Sequence, residues 1–238
     1  MKNTLLVSLA LVLAIHATPL LGQTTNLPHV MILATGGTIA GSAESQTSVG
    51  YTSGAVTVDV LIKAVPGLTK IARISGEQVA SIGSQDMNNE VWLKLAKRVN
   101  EILKADTVDG IVITHGTDTM EETAYFLQLV VKGRKPVVLT GSMRPSTALS
   151  ADGPLNIYNA VAVAGDTGSR GRGVLVAVND NIHGGREITK TNTTSVQTFE
   201  SPQYGLIGTT LYGKQSFFRY PFRKNTTSSE FTIDGVTA

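Results

Sequence analysis

The feature that most constrains the fold is a repeated alternation of short β-branched runs with longer segments of helical period. The expected strands are Val30 to Leu33, Ile71 to Ile74, Ile111 to Ile113, Val137 to Leu139 and Val174 to Val178. The expected helices lie between them, at Val56 to Val65, Val91 to Leu103, Glu121 to Val131 and Pro154 to Ala164. Strands that alternate with helices in this way form a parallel sheet with helices on both faces. We therefore predict an α/β fold with a doubly wound, mainly parallel sheet.

The C-terminal part of the sequence departs from this pattern, because the helical period disappears from Lys190 onward. Turns are expected at Thr191 to Thr194 and Tyr204 to Gly208, and a β-hairpin at Leu211 to Phe218. Past Arg219 the chain is polar and has no closing element. We predict one domain over residues 23–218, followed by a linker over residues 219–238.

The N-terminus has the layout of a secretory signal peptide. Met1-Lys2-Asn3 precedes an apolar run from Leu5 to Ile15, and a polar, turn-prone stretch from His16 to Gln23 follows. The apolar run is about half of the roughly 20 residues that span a bilayer, which disfavours a membrane anchor. We predict a signal peptide over residues 1–22, cleaved near Gly22-Gln23, and no membrane association after cleavage.

Composition excludes several classes of function. The net charge of +2 comes from 20 basic and 18 acidic residues that are spread through the chain, so no basic stripe is available to bind a nucleic acid. Cysteine is absent, which excludes disulfides, thiolate zinc sites and a cysteine nucleophile. The four histidines form no ligand cluster in the sequence. We expect neither a nucleic-acid partner nor a metal site.

Glycines, threonines and acids are concentrated where strands end. Thr35-Gly36-Gly37-Thr38 follows the first strand, Ser84-Gln85-Asp86 comes later, and Thr114-His115-Gly116-Thr117-Asp118 follows the third predicted strand. Ligands of doubly wound sheets bind outside the carboxyl ends of the strands. We therefore predict that these three loops form one site.

The glycine pair before Thr38 allows a sharp turn that brings backbone N–H groups close to a ligand, and it is equally compatible with a purely structural turn. The chain lacks both G-x-G-x-x-G and a Gly-Lys-Ser/Thr continuation, so a nucleotide-binding domain is not supported. The Thr38 hydroxyl becomes a candidate nucleophile only if a second group activates it.

Thr119-x-x-Glu122 is a capping-box pattern, which predicts a helix that begins immediately after Thr119. Thr117 and Asp118 then lie at the helix N-terminus, where backbone donors favour anions, and the Asp118 carboxylate would hold a substrate ammonium. The alternative is that Asp118 and Thr119 only cap the helix. We interpret His115 as a packed or hydrogen-bonded histidine and leave it out of the site.

Other candidates have two interpretations that spacing alone leaves open. Lys190 is either a solvated surface group or a desolvated amine that accepts a proton from a threonine or a relayed water. Gly41 to Gly50, followed by Tyr51, is either a mobile lid carrying a phenol or a surface loop. Ser84 and Gln85 are either residues that form ordinary hydrogen bonds within their loop or residues of the predicted site.

Two long strings resemble the two signatures of bacterial-type L-asparaginases: Ile32-Leu33-Ala34-Thr35-Gly36-Gly37-Thr38-Ile39-Ala40-Gly41, and the segment from Gly110 to Ala124 that contains Thr114-His115-Gly116-Thr117-Asp118-Thr119-Met120-Glu121-Glu122. The similarity also covers Gly76 to Val79, Ile82 to Met87, Gly141 to Pro145, Ser150 to Pro154 and Thr189 to Asn192. It runs from about Leu27 to about Gly213 and is highly specific.

The resemblance implies a role for each matching residue. The family's primary nucleophile matches Thr38, and its lid tyrosine, which helps to deprotonate that threonine, matches Tyr51. A second cluster matches Thr117, Asp118 and Lys190. Ser84 matches a residue that binds the substrate α-carboxylate, while Gln85 and Asp118 match residues that hold the α-amino group. No metal or organic cofactor is implied.

The implied reaction is attack of a threonine hydroxyl on the side-chain amide of L-asparagine, loss of ammonia, and hydrolysis of the acyl-enzyme to L-aspartate. L-Glutamine is expected as a weaker substrate, since one methylene is usually worth only about 1 to 3 kcal/mol. The signal peptide places the chain in the secreted, type II branch of the family and predicts a periplasmic location.

The resemblance also implies a homotetramer and a smaller second α/β domain of roughly 100 residues, which supplies an acid to the neighbouring subunit's site. The chain ends at Ala238 before such a domain, so we expect the second domain to be absent. The rival hypotheses are therefore a catalytically disabled fragment and a non-catalytic periplasmic module that binds asparagine or aspartate. Release of ammonia distinguishes the enzyme from both.

Overall fold

The computed structural model describes residues 26–48 and 50–237, so the predicted signal peptide lies outside the described residues. The strands are β1 (His29–Gly36), β2 (Arg73–Ile82), β3 (Gly110–Thr114), β4 (Val137–Thr140), β5 (Val174–Val178), β6 (Asn181–Gly184), β7 (Thr189–Lys190), β8 (Phe199–Glu200), β9 (Gly208–Leu211) and β10 (Lys214–Phe217). The α-helices are α1 (Val58–Lys63), α2 (Asn89–Lys104), α3 (Met120–Val130) and α4 (Gly153–Gly165). Within the described ranges, no helix has the length and apolarity needed to cross a membrane.

Eight of the strands form one sheet in the order β10-β9-β6-β5-β4-β3-β1-β2. The five strands from β5 to β2 in that order pair in parallel, and β6, β9 and β10 add an antiparallel edge. Strands β7 and β8 form a separate two-stranded sheet. The predicted doubly wound, mainly parallel sheet is confirmed.

The central strands are buried on both faces, and successive residues belong to different core layers. Ile111 and Ile113 of β3 pack in the layer that contains the apolar residues of α2 and α3. Val112, between them, packs in the layer of α1 and α4. This period of two places helices on both faces, as the alternation in the sequence predicts.

Several element boundaries differ from the prediction. Helix α1 is shorter than Val56 to Val65, because Pro66 follows and begins a separate 3-10 helix over Pro66–Lys70. Strand β2 extends well beyond the predicted Ile71 to Ile74, since its polar middle gives no apolar signal. The sequence prediction missed β6, which follows a tight turn at Asn179 and Asp180, both with positive φ.

The hairpin predicted at Leu211 to Phe218 is present but begins earlier, at Gly208. Its two-residue turn is Tyr212-Gly213, with φ angles of 46° and 78°. Positive φ at both positions is the geometry whose twist matches that of the flanking strands. The predicted hairpin is therefore shifted by three residues at its start.

The segment predicted as a linker, residues 219–238, packs against the domain as far as it is described. Ile233 is 6% exposed and belongs to the core layer of α2 and α3. Lys132 Nζ donates to the Ser229 carbonyl at 2.8 Å, and Lys97 Nζ donates to the Val236 carbonyl at 2.9 Å. The tail thus covers apolar surface that would otherwise face water.

Replacing Ile233 with Ala should lower the free energy of unfolding by about 2 to 4 kcal/mol, because the change removes buried methyl groups and leaves a cavity. Urea unfolding measures the loss. Val236→Ala is the matched control, since Val236 is 42% exposed in the same segment. Equal, small losses for both variants would show that the tail does not pack on the helices.

His183 on β6 is a buried histidine outside the predicted site. Its Nδ1 contacts Ser201 Oγ at 2.9 Å, and burial lowers the pKa of His183 to about 4. As the pH falls from 6.5 toward 4, the unfolded chain takes up a proton that the folded chain resists, so unfolding becomes easier. The stability that neutral His183 provides is present above pH 6.5 and is lost on acidification.

The variant His183→Asn should flatten this dependence, because asparagine does not titrate and its side chain still reaches Ser201. Between pH 7 and pH 4.5 we expect the variant to lose less unfolding free energy than the parent chain, by about 2 to 3 kcal/mol. Urea unfolding at the two pH values measures the difference. Parallel losses in both proteins would contradict the burial argument.

Candidate active site

Close approach of glycines joins the three predicted loops. Gly36 and Gly37, with φ angles of 110° and 77°, turn the chain sharply at the end of β1. A Cβ atom on Gly37 would lie 2.3 Å from Gly116 Cα, and one on Gly116 would lie 2.5 Å from Ser84 Oγ. Only residues without a side chain fit at these two positions. The loops after β1, β2 and β3 therefore meet at one place.

This meeting point is the topological switch of the sheet. Strands β1 and β3 are neighbours, with Ala34 paired to Thr114. The chain leaves β1 toward α1 on one face and leaves β3 toward α3 on the other. A crevice opens where the connections diverge, and doubly wound folds bind their ligands there.

Thr38 and Tyr51 form the first cluster. Their hydroxyl oxygens are 2.7 Å apart, and either group can be the donor. Thr38 is 7% exposed at the start of a 3-10 helix, while Tyr51 is 41% exposed. Reciprocal backbone hydrogen bonds between Ser42 and Thr52 close the loop that carries Tyr51. The loop is thus closed at its base, and its role as a mobile lid stays a prediction.

Thr117, Asp118 and Lys190 form the second cluster. Lys190 Nζ donates to Thr117 Oγ1 at 2.8 Å and to Asp118 Oδ1 at 2.7 Å. The Lys190 side chain is 13% exposed, so its amine is largely shielded and is not a solvated surface group. Thr117 and Asp118 immediately precede α3, which begins at Met120 as the sequence predicts.

The loop after β2 contributes Ser84 directly and Gln85 less so. The Asp118 backbone N–H donates to Ser84 Oγ at 3.1 Å. Gln85 is exposed, and its side-chain amide lies 3.4 Å from Asp86 Oδ2. Among the described residues, Gln85 is thus the candidate that makes no hydrogen bond to the other site residues.

The predicted capping box at Thr119 and Glu122 is wrong. The Thr119 side chain makes no cap hydrogen bond to α3. Its hydroxyl instead donates to the Ser84 carbonyl at 2.8 Å, because the Ser84 loop packs directly on this helix start. Thr119 therefore links two loops of the site.

His115 is buried and makes hydrogen bonds that hold the loop after β3. Trp92 Nε1 donates to Thr123 Oγ1 at 2.8 Å, and Thr123 Oγ1 lies 2.9 Å from His115 Nε2. The Gly116 carbonyl lies 2.7 Å from Nδ1 and can only accept, so the ring proton of neutral His115 lies on Nδ1. Nε2 is then the acceptor, and the Thr123 hydroxyl donates to it. Burial lowers the pKa of His115 to about 4, against the opposing effect of that carbonyl. His115 is thus a neutral structural group.

Glu121 is a residue that the sequence interpretation missed. Its carboxylate accepts hydrogen bonds from the Lys190 backbone N–H and, at 3.2 Å, from the Thr189 hydroxyl. The adjacent pair Glu121-Glu122 was the available signal, but the capping-box pattern assigned the structural role to Glu122.

Contacts with another loop support the predicted lid, whose described residues are 41–48, 50 and 51. Ser146 donates to the Gly41 carbonyl from both its backbone N–H, at 3.1 Å, and its hydroxyl, at 2.7 Å. Thr147 Oγ1 accepts from the Ala43 backbone N–H at 2.9 Å. These contacts hold the N-terminal half of the lid against the loop after β4.

No group of three or more His, Asp or Glu suited to a metal ion occurs in the described part of the chain.

Replacing Thr147 with Val should loosen the lid, because the Ala43 N–H loses its acceptor while the side-chain volume is kept. We expect faster hydrogen exchange at the Ala43 amide and an unchanged free energy of unfolding. Thr147→Ser is the control, since it keeps the hydroxyl. Equal exchange in the two variants would show that the hydrogen bond from the Ala43 N–H to Thr147 Oγ1 does not hold the lid.

Comparisons with known proteins identify the family of the chain. The family model "Asparaginase, N-terminal" matches residues 29–223. The "Probable L-asparaginase periplasmic" of Haemophilus influenzae is 56% identical, over 90% of this chain and 61% of that protein. The "L-asparaginase 2" of Escherichia coli is 57% identical, over 89% and 60% of the two chains. The "Glutaminase-asparaginase" of Pseudomonas fluorescens is 52% identical, over 89% and 59%.

A solved structure, that of a probable cytoplasmic L-asparaginase from Campylobacter jejuni, superposes with a TM-score of 0.86 at 49% identity. The match covers 89% of this chain and 64% of that one. This chain thus spans about 60% of the length of the curated relatives it matches. The family model and the superposition together show that the chain belongs to the asparaginase family and has the fold of its N-terminal domain.

Proposed function

We propose that the protein to which this chain belongs hydrolyses L-asparagine to L-aspartate and ammonia, with Thr38 as the nucleophile. The observation that carries the proposal is the 2.7 Å contact between the Thr38 and Tyr51 hydroxyls at the switch point of the sheet. The second cluster, around Lys190, supports it with an amine and a carboxylate at the same strand ends.

In the first half of the proposed reaction, the Thr38 oxygen attacks the side-chain amide carbon. Its proton passes to the Tyr51 oxygen as Tyr51 gives up its own hydroxyl proton toward the amide nitrogen, so Tyr51 stays neutral. The tetrahedral intermediate collapses when the amide nitrogen takes up a proton and leaves as ammonia, which gives an aspartyl ester on Thr38. Water then attacks the ester carbon, L-aspartate leaves, and the Thr38 hydroxyl is restored. The shielded Lys190 amine and Thr117 hydroxyl relay protons at the other side of the crevice.

The Thr117 backbone N–H is a suitable oxyanion donor. His115 Nδ1–H holds the Gly116 carbonyl on the buried side, and in a trans peptide the following N–H points away from that side. Within the described residues, this N–H donates to no acceptor. Loss of one such donor elsewhere costs about 3 to 4 kcal/mol of transition-state stabilisation.

Substrate recognition is proposed at Ser84, Gln85 and Asp118. Ser84 Oγ accepts the Asp118 N–H, so its own hydroxyl proton is directed elsewhere and suits the α-carboxylate of the substrate. Lys190 bonds Oδ1 of Asp118, which leaves Oδ2 for the α-ammonium. L-Glutamine is proposed as a weaker substrate, because it fits the same groups with one extra methylene.

The signal-peptide layout supports a periplasmic location, and one relative carries the name "Probable L-asparaginase periplasmic". We propose export to the periplasm and, from the family resemblance, assembly of the whole protein as a homotetramer. The alternative functions remain a disabled fragment and a binding module without turnover.

Thr38→Ala should lower kcat for ammonia release by about a thousandfold or more, because it removes the nucleophile, while L-aspartate still stabilises the variant against unfolding. Thr38→Ser is the matched control, since it keeps the hydroxyl and should retain part of the activity. Ammonia release is measured on this chain and on the chain extended by the C-terminal part of a relative.

Activity only in the extended form would identify this chain as a disabled fragment. A stability increase with L-aspartate but no ammonia from either form would support the binding module and contradict the proposed hydrolysis. Equal activity of parent and Thr38→Ala would contradict the assignment of the nucleophile.

A further inference from the structure

We infer that Glu121 is a positioning residue for Lys190: its carboxylate fixes the main chain of Lys190, so that the amine reaches Thr117 and Asp118. The inference rests on the proposed function of the Lys190 cluster and adds a residue to which the family resemblance gives no role. Glu121 itself touches neither the Lys190 amine nor the Thr117 hydroxyl among the contacts of the described residues.

The two oxygens of the Glu121 carboxylate have separate donors. Oε2 accepts the Lys190 backbone N–H, and Oε1 accepts the Thr189 hydroxyl at 3.2 Å. Hydrogen bonds to an ionised acceptor are the stronger class. Glu121 lies in the first turn of α3, where the helix dipole favours a negative charge. The carboxylate is therefore well suited to hold both residues of β7.

Strand β7 needs such a tether, because it is only two residues long and lies outside the eight-stranded sheet. Its partner β8 is equally short, and an isolated two-stranded pair is marginally stable at best. The main sheet thus contributes no hydrogen-bond ladder to the placement of Lys190. Glu121 joins β7 directly to the helix that begins beside Thr117 and Asp118.

Lys190 is consequently attached to one helix start at both of its ends. Glu121 binds its backbone N–H, and Thr117 with Asp118 binds its Nζ. Four flexible methylene groups lie between these two points, so the position of the backbone limits where the amine can go. Small displacements matter here, since misplacement of a catalytic group by about 1 Å can cost about 100-fold in rate.

Glu122 provides a matched control on the same helix turn. It carries the same charge next to Glu121, is exposed, and makes no hydrogen bond or ion pair with the described residues. Glu122→Gln therefore removes a negative charge from the α3 N-terminus without removing an acceptor from β7. A difference between the two positions separates backbone positioning from a general effect of charge.

The test combines kinetics with hydrogen exchange on this chain and on its extended form. Glu121→Ala should lower kcat for ammonia release about 10- to 100-fold, with KM within about twofold, because the amine is displaced while the substrate contacts stay. Glu121→Gln should recover part of kcat, since its amide oxygen can still accept the Lys190 N–H but its nitrogen cannot accept from Thr189. Glu122→Gln should remain close to the parent.

Hydrogen exchange gives a readout that does not depend on activity. In Glu121→Ala, the Lys190 amide should exchange faster than in the parent. The Thr191 amide, which donates to the Thr198 carbonyl in the same segment, should be unchanged and serves as an internal reference. Equal acceleration at both amides would indicate general loosening of β7 and overturn the positioning role.

The kinetic outcomes are equally decisive. A kcat for Glu121→Ala equal to that of Glu122→Gln, or a loss that lies only in KM, would overturn the inference. If neither the parent chain nor its extended form releases ammonia, the proposed hydrolysis fails. In that case, unchanged exchange at the Lys190 amide of Glu121→Ala would also overturn the inferred positioning of Lys190 by Glu121. Faster exchange at that amide would support the positioning although the hydrolysis had failed.

Discussion

The contact between Gly37 and Gly116 is the constraint on which the site depends. The backbones after β1 and β3 touch where the sheet changes winding direction, and no Cβ fits at either position. This approach places Thr38 and Thr117, each the next residue in its loop, on the same crevice. The proposed chemistry depends on this packing, because two threonine hydroxyls, one beside Tyr51 and one beside Lys190, lie at neighbouring strand ends.

Around this contact, each reactive group is held by a different part of the chain. Tyr51 depends on a lid that is supported by the loop after β4, whereas Lys190 belongs to a two-residue strand tied to α3. The threonines belong to rigid strand ends, and their partners belong to short peripheral elements. The proposed nucleophile, Thr38, thus directly follows a strand of the main sheet, whereas the placement of Tyr51 and Lys190 relies on a few side-chain hydrogen bonds.

The sequence predicted the fold and the meeting of the three loops because both follow from periodicity: buried strands alternate with helices, and parallel strands end at one edge. It failed where a side chain bonds to a distant part of the backbone. Thr119 was assigned to a local cap, yet its hydroxyl serves the Ser84 carbonyl across the site. Glu121 was missed for the same reason, because its partners Thr189 and Lys190 are distant in the chain and the local pattern pointed to Glu122. For residues 219–238 the sequence predicted a linker, and one buried apolar side chain, Ile233, among polar residues leaves no periodic signal of its packing.

The most direct test of the central claim is to trap the covalent intermediate. The protein, with its C-terminal extension if that is needed for activity, is mixed with L-asparagine and quenched rapidly in acid. Digestion and mass spectrometry then locate any added aspartyl group. The account predicts an aspartyl ester on the peptide that contains Thr38 and none in Thr38→Ala. An ester on Thr117 instead, or ammonia release with no ester on any threonine, would contradict it.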